Sequence, residues 1–464
     1  MAAIGLDDTD SRDRGMCTTY LAARIATRLR ERGYGVSRPV LVRLNPAIEA
    51  KTRGNAALAI HVDRPNRADR PDQADANADA DIKVDETLSV AREAIDAAAE
   101  TADPNTDPGL VVAPGSNVPP AVAAFSSRAV TDRLTIAAAR AACETTGFRY
   151  HEWGNGRGLI GALAAVGARR AFSEWTVEHI AYREPERWGT PRSVDAKSVF
   201  AAADRGYPEV WDTVDRGERE VVCVPRTPCP VLFGVRGENP AAVERVAAGI
   251  ESEPIACAET FLTNQGTDAH LREGTIATAE EGRSYRLSGV VASAPETRRG
   301  GHVFFDLGSG GSDGGGGGGN DGDDTGSSER VDERTEGSRL RCVAFEPTKR
   351  FRDRVRALRV GDRLVVCGEV SEETLKLEKF AVRDLVRTER VVPTCPDCGT
   401  SMESAGRDQG YRCRDCGTDR DGKVFRWIER DLDVGWHEVP PRARRHVAKP
   451  LIRGGFDAPT FPER

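Results

Sequence analysis

Asp7, Asp8 and Asp10 stand within four residues of one another in Gly5-Leu6-Asp7-Asp8-Thr9-Asp10-Ser11, and Gly15-Met16-Cys17-Thr18-Thr19-Tyr20 follows a short polar loop later. Carboxylates are the hard oxygen ligands that Mg²⁺ prefers, and one or two of them plus phosphate oxygens complete its shell. A hydroxyl at a helix start adds a phosphoryl acceptor beside backbone N–H groups that favour anions. Asp7, Asp8 and Asp10 are therefore candidates for holding a metal-bound polyphosphate, and Thr18 or Thr19 for taking a phosphoryl group. Asx turns and a simple helix cap would use the same residue types. The convergence of carboxylates, glycine and paired threonines on one corner favours chemistry.

The elements needed to hold that corner are legible around it. Ala2 to Leu6 is a short apolar run, read as a buried strand ending in acid. Leu21, Ile25 and Leu29 recur at helical spacing until Gly33. Strands are expected over Pro39–Leu44 and Ala56–Val62. Between them Lys51-Thr52-Arg53-Gly54-Asn55 packs two cations, a hydroxyl and a flexible backbone into one turn. With Ser11 and Gly15 these five are the candidate ATP contacts, although the turn also reads as a solvated hairpin. The spacing of a Walker A loop is absent. Residues 64–81 read as a solvated insertion. Helices are expected over Val84–Ala99 and Ala121–Cys143, which closes an α/β unit at 1–150.

Asn155-Gly156-Arg157-Gly158-Leu159-Ile160-Gly161 resembles a nucleotide loop only superficially, and close helix packing explains its glycines better. Strand signals at Trp175–Tyr182, Val231–Val235 and Phe261–Asn264, with Asn239 capping a helix that opens on Pro240, imply a ferredoxin-like α+β unit at 151–275. Five strands at Tyr285–Ala292, Gly301–Leu307, Leu340–Phe345, Asp362–Val370 and Leu375–Asp384 follow. A helix, Thr348–Leu358, lies between the third and fourth, which is the order of an OB-fold barrel at 280–390. Residues 308–337, rich in Gly, Ser and charge, read as a disordered insertion in it. Such barrels hold single strands by stacking and a basic groove. Lys349, Arg350, Arg352, Arg354, Arg356 and Arg359 are the cations expected to meet phosphate there.

Cys395-Pro396-Asp397-Cys398-Gly399 and Cys413-Arg414-Asp415-Cys416-Gly417 repeat one knuckle. Four thiolates at this spacing satisfy tetrahedral Zn²⁺ and leave no open position, so a structural zinc ribbon is expected at 391–435. The tail at 436–464, with Arg444, Arg445 and Lys449, is basic and proline-bounded. It reads either as an RNA contact or as a solvated end.

The 464 residues carry a net charge of −7, which argues against a generic nucleic-acid binder. No apolar run is long enough to span a bilayer, and no signal-peptide pattern opens the chain. Of the 11 cysteines, four form the knuckles and the others lie scattered, mostly in apolar runs, as in a reducing compartment. A cytoplasmic protein is expected. On residues alone the reading is an ATP-using enzyme with nucleic-acid-binding appendages.

GLDDTDS with GMCTTY, RLNPAIEAKTRGN, GRGLIGALAAVG, TPCPVLFGVRGE, GGHVFF, AFEPTKRFR and PPRARRHVAKPLIR closely resemble the archaeal tRNA(Ile) 2-agmatinylcytidine synthetases. The resemblance covers the chain except the two insertions. It implies a Thr/cytidine kinase domain first, then the ferredoxin-like domain, the OB-fold and the zinc ribbon. It implies a reaction in which ATP phosphorylates the C2 carbonyl oxygen of the wobble cytidine in the CAU-anticodon isoleucine tRNA. Agmatine's amine then displaces the phosphate, with AMP and phosphate released and decoding changed from AUG to AUA. Thr18 matches the family's autophosphorylated threonine, and Asp7, Asp8 and Asp10 its metal and phosphate cluster. The guanidinium of agmatine needs an acidic pocket, for which Asp212 and Asp215 are the candidates. ATP, Mg²⁺ and structural Zn²⁺ are the implied cofactors, with no obligate protein partner. The rival class is a single-strand DNA-binding protein, since a barrel plus a ribbon is common there, but it leaves the first 270 or so residues unexplained.

Overall fold

The acidic strand is the centre of a sheet, not its edge. In the computed structural model, which describes residues 1–49, 54–63, 78–115, 117–309, 337–407 and 409–464, β1 (Ala2–Asp7) is buried along its length. It pairs antiparallel with β3 (Ala56–Asp63) on one side and β4 (Gly109–Pro114) on the other. A short, continuously apolar run suits a strand covered on both faces. β2 (Val40–Arg43) flanks β3, and β5 (Arg149–Glu152) flanks β4. Lys51, Thr52 and Arg53 lie outside the described residues, as do 64–77 of the surface insertion and 310–336 of the Gly-rich one.

Helix α1 (Thr18–Glu31) buries Leu21, Ile25 and Leu29 against the sheet, and α2 (Ala78–Ala98) packs beside it. The expected single helix over Ala121–Cys143 is two: α3 (Pro120–Thr131) and α4 (Ile136–Thr146). Thr135 breaks the pattern, because its side chain accepts a hydrogen bond from Ala138 N (3.2 Å) and starts a new helix. The sequence reading also missed β4, whose Leu-Val-Val run sits between loops without alternation.

α5 (Gly158–Ala171) lies against the faces of β1, β3 and β4. Its backbone approaches β1 so closely that a Cβ at Gly161 would overlap the Asp7 carboxylate. Helix packing thus accounts for the glycine-rich entry. After it, β6 (Thr176–Arg183), α6 (Ala196–Gly206), β7 (Val210–Trp211), β8 (Val231–Gly237), α7 (Pro240–Ala248) and β9 (Ile255–Thr263) follow. Asn239 caps α7 as the sequence implied, accepting from Ala242 N at 2.9 Å.

These strands do not form a separate sheet. β9 pairs in parallel with β2 (Leu262↔Val40, Thr263↔Leu41), and one sheet runs β5-β4-β1-β3-β2-β9-β6-β8-β7. The change of texture near residue 150 marks the chain but not the sheet.

The third unit is a closed barrel. β10 (Arg283–Val291), β11 (Val303–Gly308), β12 (Arg339–Ala344), β13 (Arg363–Ser371) and β14 (Thr374–Asp384) close as β10-β11-β12-β14-β13-β10. Its helix α8 (Phe351–Arg356) is shorter than expected, but Phe351, Val355 and Leu358 are buried as the periodicity required. β15 (Thr388–Val391) and β16 (Val424–Trp427) frame the two cysteine knuckles.

The basic tail is neither a solvated end nor a free arm. β17 (Gly435–Glu438) adds to β14, and Trp436, Val439, Val447, Ala448 and Leu451 are buried. Gly266 N donates to His446 O (2.8 Å), and Thr267 N and Asp268 N donate to Val447 O (3.2 and 3.0 Å). The tail therefore stitches the barrel to the first sheet. Among the described residues no helix is long and apolar enough to cross a membrane.

Candidate active site

Where β1 ends, the backbone turns sharply. Asp8 sits at φ +57°, a left-handed conformation that Asp adopts at some cost, and Met16 at φ +58° closes the same loop. Asp8 N donates to its neighbour's Oδ1, on Asp7, at 2.8 Å. Asp8 Oδ2 accepts from Arg157 Nε (3.1 Å), Arg157 Nη2 (2.7 Å) and Asp107 N (3.2 Å). Burial, then the charges of Asp8 and Asp10, hold the Asp7 carboxyl well above its ordinary range, against the pull of Asp8 N–H and Arg157. A cluster so short of positive charge is a fitting seat for a divalent cation.

Thr18 is the first residue of α1 and is 5% exposed. It does not cap the helix: Cys17 is the N-cap and makes no side-chain cap bond. The Thr18 hydroxyl instead accepts from the Thr9 hydroxyl at 3.1 Å. Cys17 beside it is held protonated, its thiol pushed up to about 11 by burial, Asp10 and Cys229. Of the two adjacent nucleophiles, the hydroxyl is the one presented to the acidic turn.

Ser11 and Gly15 shape this loop from behind. Ser11 is fully buried and donates to Asp103 Oδ2 at 2.5 Å, while Ser11 N bonds Gly15 O at 2.9 Å. Gly15, at φ +108°, has no room for a Cβ beside Pro228 O. Neither is among the residues that line the cavity, and the contacts they make support the loop. Gly54 and Asn55 do line it; the rest of their turn is outside the described residues.

The cavity has a volume of about 650 Å³, which places it in the range of sites for drug-sized ligands. Asp7, Asp8, Asp10, Thr18 and Arg157 form one wall. The α3–α4 break supplies Asp132 to Ile136, and Arg43, Glu178, Arg236 and His446 come from β2, β6, β8 and the tail. Sequence reasoning missed these last four and Arg157. Only Arg157 carried a signal, its place in a glycine-rich entry; the others are brought together by the continuous sheet.

Asp212 and Asp215 are not an acidic pocket. Asp212 pairs with Arg444, with both side chains buried, and the Asp215 carboxylate holds Arg350 Nη1 at 3.1 Å. Neither lines the cavity. The same pairs withdraw cations expected to meet RNA. Arg350 also contacts Glu463, and Arg444 Nη2 lies 2.8 Å from Glu438. Arg445 bridges Glu369 (2.7 Å) and Glu378 (2.9 Å), and Lys449 approaches Glu174 at 3.3 Å. Lys349 and Arg352 both reach Glu346, at 2.5 and 3.5 Å. Arg350, Arg444, Arg445 and Lys449 join the barrel, tail and sheet, whereas Lys349 and Arg352 pair locally with Glu346. Arg354, Arg356 and Arg359 remain exposed on the barrel helix and just after it, and a second exposed face lies on β16, where Phe425 and Trp427 are 67% and 66% exposed, with Arg390 and Arg387 over their rings at 5.2 and 5.8 Å.

Cys395, Cys398, Cys413 and Cys416 converge as the spacing required, with all four sulfurs within 4.8 Å of one another. Thiolates around one tetrahedral zinc, at about 2.3 Å each, stand about 3.8 Å apart, so the set fits Zn²⁺ and leaves no position for a substrate.

Three family models match the chain: the TiaS TCKD domain over residues 3–155, the TiaS FLD domain over 156–270, and the TiaS C-terminal zinc ribbon domain over 392–432. The isoleucine-tRNA 2-agmatinylcytidine synthetase TiaS of Haloquadratum walsbyi is 50% identical, with 100% of both chains covered. The protein of that name from Methanosarcina mazei is 43% identical over 97% of each chain. A solved complex of TiaS with its isoleucine tRNA and ATP superposes with a TM-score of 0.82 at 38% identity, covering 100% of this chain and 99% of that one. A complex of TiaS with the same tRNA, AMPCPP and agmatine does so with a TM-score of 0.80 at 36% identity, with the same coverage.

Proposed function

The chain belongs to the isoleucine-tRNA 2-agmatinylcytidine synthetase family, and from that premise we propose that its cavity transfers agmatine to the wobble cytidine of the CAU-anticodon isoleucine tRNA at the expense of ATP. The observation that carries this reading is the Thr18 hydroxyl, buried beside Thr9 and facing the same cavity as Asp7, Asp8 and Asp10.

The chemistry follows from what each partner lacks. The C2 carbonyl oxygen of cytidine is a poor leaving group, so it must first be phosphorylated. The amine nitrogen of agmatine then bonds to C2, the C–O bond breaks, phosphate leaves, and the amine loses a proton. Thr18 is the protein's own phosphoryl acceptor, while Cys17, held as a thiol, stays out of the reaction. Asp7, Asp8 and Asp10 would hold Mg²⁺, which supplies charge neutralisation at the phosphates. Arg157 orients Asp8 and offsets part of the cluster's charge. The cytidine must leave its stack to reach so enclosed a site.

We read β1 to α4 as the kinase-like unit. The order β9-β6-β8-β7, with α6 and α7 as crossovers, is the ferredoxin-like pattern, and the ring of β10 to β14 is the OB-fold. The aromatic hairpin of the ribbon, with the exposed Arg354, Arg356 and Arg359 of the barrel, is the surface we assign to RNA, because exposed rings backed by arginine stack on bases. Free thiols throughout the described residues fit a cytoplasmic enzyme. The test is mass spectrometry of nucleosides from CAU-anticodon isoleucine tRNA incubated with the protein, ATP, Mg²⁺ and agmatine. A wobble cytidine without agmatine, or carrying lysine instead, overturns the assignment.

A further inference from the structure

We propose that Arg43 and Arg236 form a phosphate-binding wall of the cavity, opposite in charge to the acidic turn that lines the same space. Arg236, on β8, is 6% exposed, and its Nε has no hydrogen-bond partner among the described residues. The carboxylates nearest its guanidinium, Glu178 Oε1 and Asp212 Oδ2, stand 3.8 Å away, beyond hydrogen-bond reach. Both are engaged elsewhere: Glu178 Oε2 accepts from Gln265 Nε2 at 2.5 Å, and Asp212 pairs with Arg444. Arg43, at the end of β2, donates from Nη1 to Gly54 O (3.1 Å), and its buried Nε likewise lacks a partner among the described residues.

Two guanidiniums thus line the cavity that Asp7, Asp8, Asp10 and Asp132 also line, with Glu178 the carboxylate of the cavity that pairs with Arg236. They leave His446 neutral, for burial and then these two charges hold its imidazole well below its ordinary range. A protein that buries donors without acceptors is destabilised unless a ligand supplies them. A planar fork fits phosphate oxygens in pairs, and two forks fit the dianion. The arrangement is a poor seat for agmatine, whose guanidinium would be repelled.

The wall binds a phosphate group as such, and only the origin of that group rests on the function proposed above. It is either orthophosphate released in the reaction or a backbone phosphate beside the extruded cytidine. The probe is inorganic phosphate, titrated calorimetrically into the full-length protein saturated with AMPCPP and Mg²⁺. Binding is expected in the wild type, with a phosphate-dependent rise in melting temperature. Arg236→Gln and Arg43→Gln should each weaken it about 30-fold or more. Arg236→Lys, which keeps the charge and loses the fork, should fall between. Competition by tRNA then identifies the group as a backbone phosphate, and no competition identifies it as the released product. No phosphate binding to the AMPCPP-saturated wild type, or binding unchanged in the correctly melting variants, overturns the proposal. Each of these readouts stands even if no agmatine reaches the tRNA.

Discussion

Arg157 grips Asp8 through one carboxylate oxygen, with Nε at 3.1 Å and Nη2 at 2.7 Å from Oδ2. The contact joins the start of α5 to the turn after β1, so a residue 149 positions away sets the posture of the acidic cluster. Arg157→Gln should lower turnover by about 10²-fold, the scale of losing one placed donor in a dry site, and Arg157→Lys should recover part of it. The Arg157 charge also draws the Asp7 carboxyl downward. Without it that carboxyl titrates higher, so the acid limb of the pH–rate profile should move to higher pH. AMP release measured across pH checks both.

Thr18→Ala should abolish transfer of labelled phosphate from ATP to the protein while tRNA affinity stays near wild type. Thr18→Ser, which keeps the hydroxyl, should retain labelling. Labelling at full level in the alanine variant would exclude Thr18 as the acceptor.

About one zinc per chain is expected from a closed four-thiolate site. Cys413→Ser should lose the metal and weaken tRNA binding, yet leave ATP binding intact, since the ribbon shares no residue with the cavity. Elemental analysis and nucleotide titration together read this out.

Trp427→Ala should weaken tRNA binding by about 1–3 kcal/mol, the range for one base stacked on an aromatic ring. Its ring is 66% exposed, so stability should change little. Equal tRNA affinity in wild type and variant would remove the hairpin from the RNA surface.

His446 supplies a pH dependence with a definite sign. Its folded-state pKa is held well below the ordinary value, so the stability it contributes is present above its unfolded pKa of about 6.5 and is lost as pH falls below that. His446→Gln should flatten the fall in melting temperature between about pH 6.5 and 5.

What the sequence disclosed was local. The strand-to-acid junction, the helix carrying Leu21, Ile25 and Leu29, the barrel helix with Phe351 and Val355, and the cysteine knuckles all follow from spacing within one element. What it concealed was set by distant partners. Arg350 and Arg444 look like phosphate ligands until Asp215 and Asp212 are placed against them. Asp212 and Asp215 look like an amine pocket for the same reason. The break at Thr135 was hidden because alanine-rich helices on either side share one periodicity, and the cap wins only through its own hydrogen bond. Arg43 and Arg236 share one cavity through the parallel β2–β9 pairing, and His446 joins them through the tail's docking on Gly266, which no motif announces.

The place of His446 in the first cavity has a consequence for biosynthesis. Segments of a chain fold broadly in the order in which they leave the ribosome, and the acidic turn, α1 and the sheet can assemble early. The wall carrying His446 is absent until the barrel and ribbon have both been translated, because that residue follows them in the chain and docks back on Gly266. A polypeptide elongated only as far as the ribbon therefore holds an open half-site, and the cavity gains its last wall only once residue 446 has docked on Gly266.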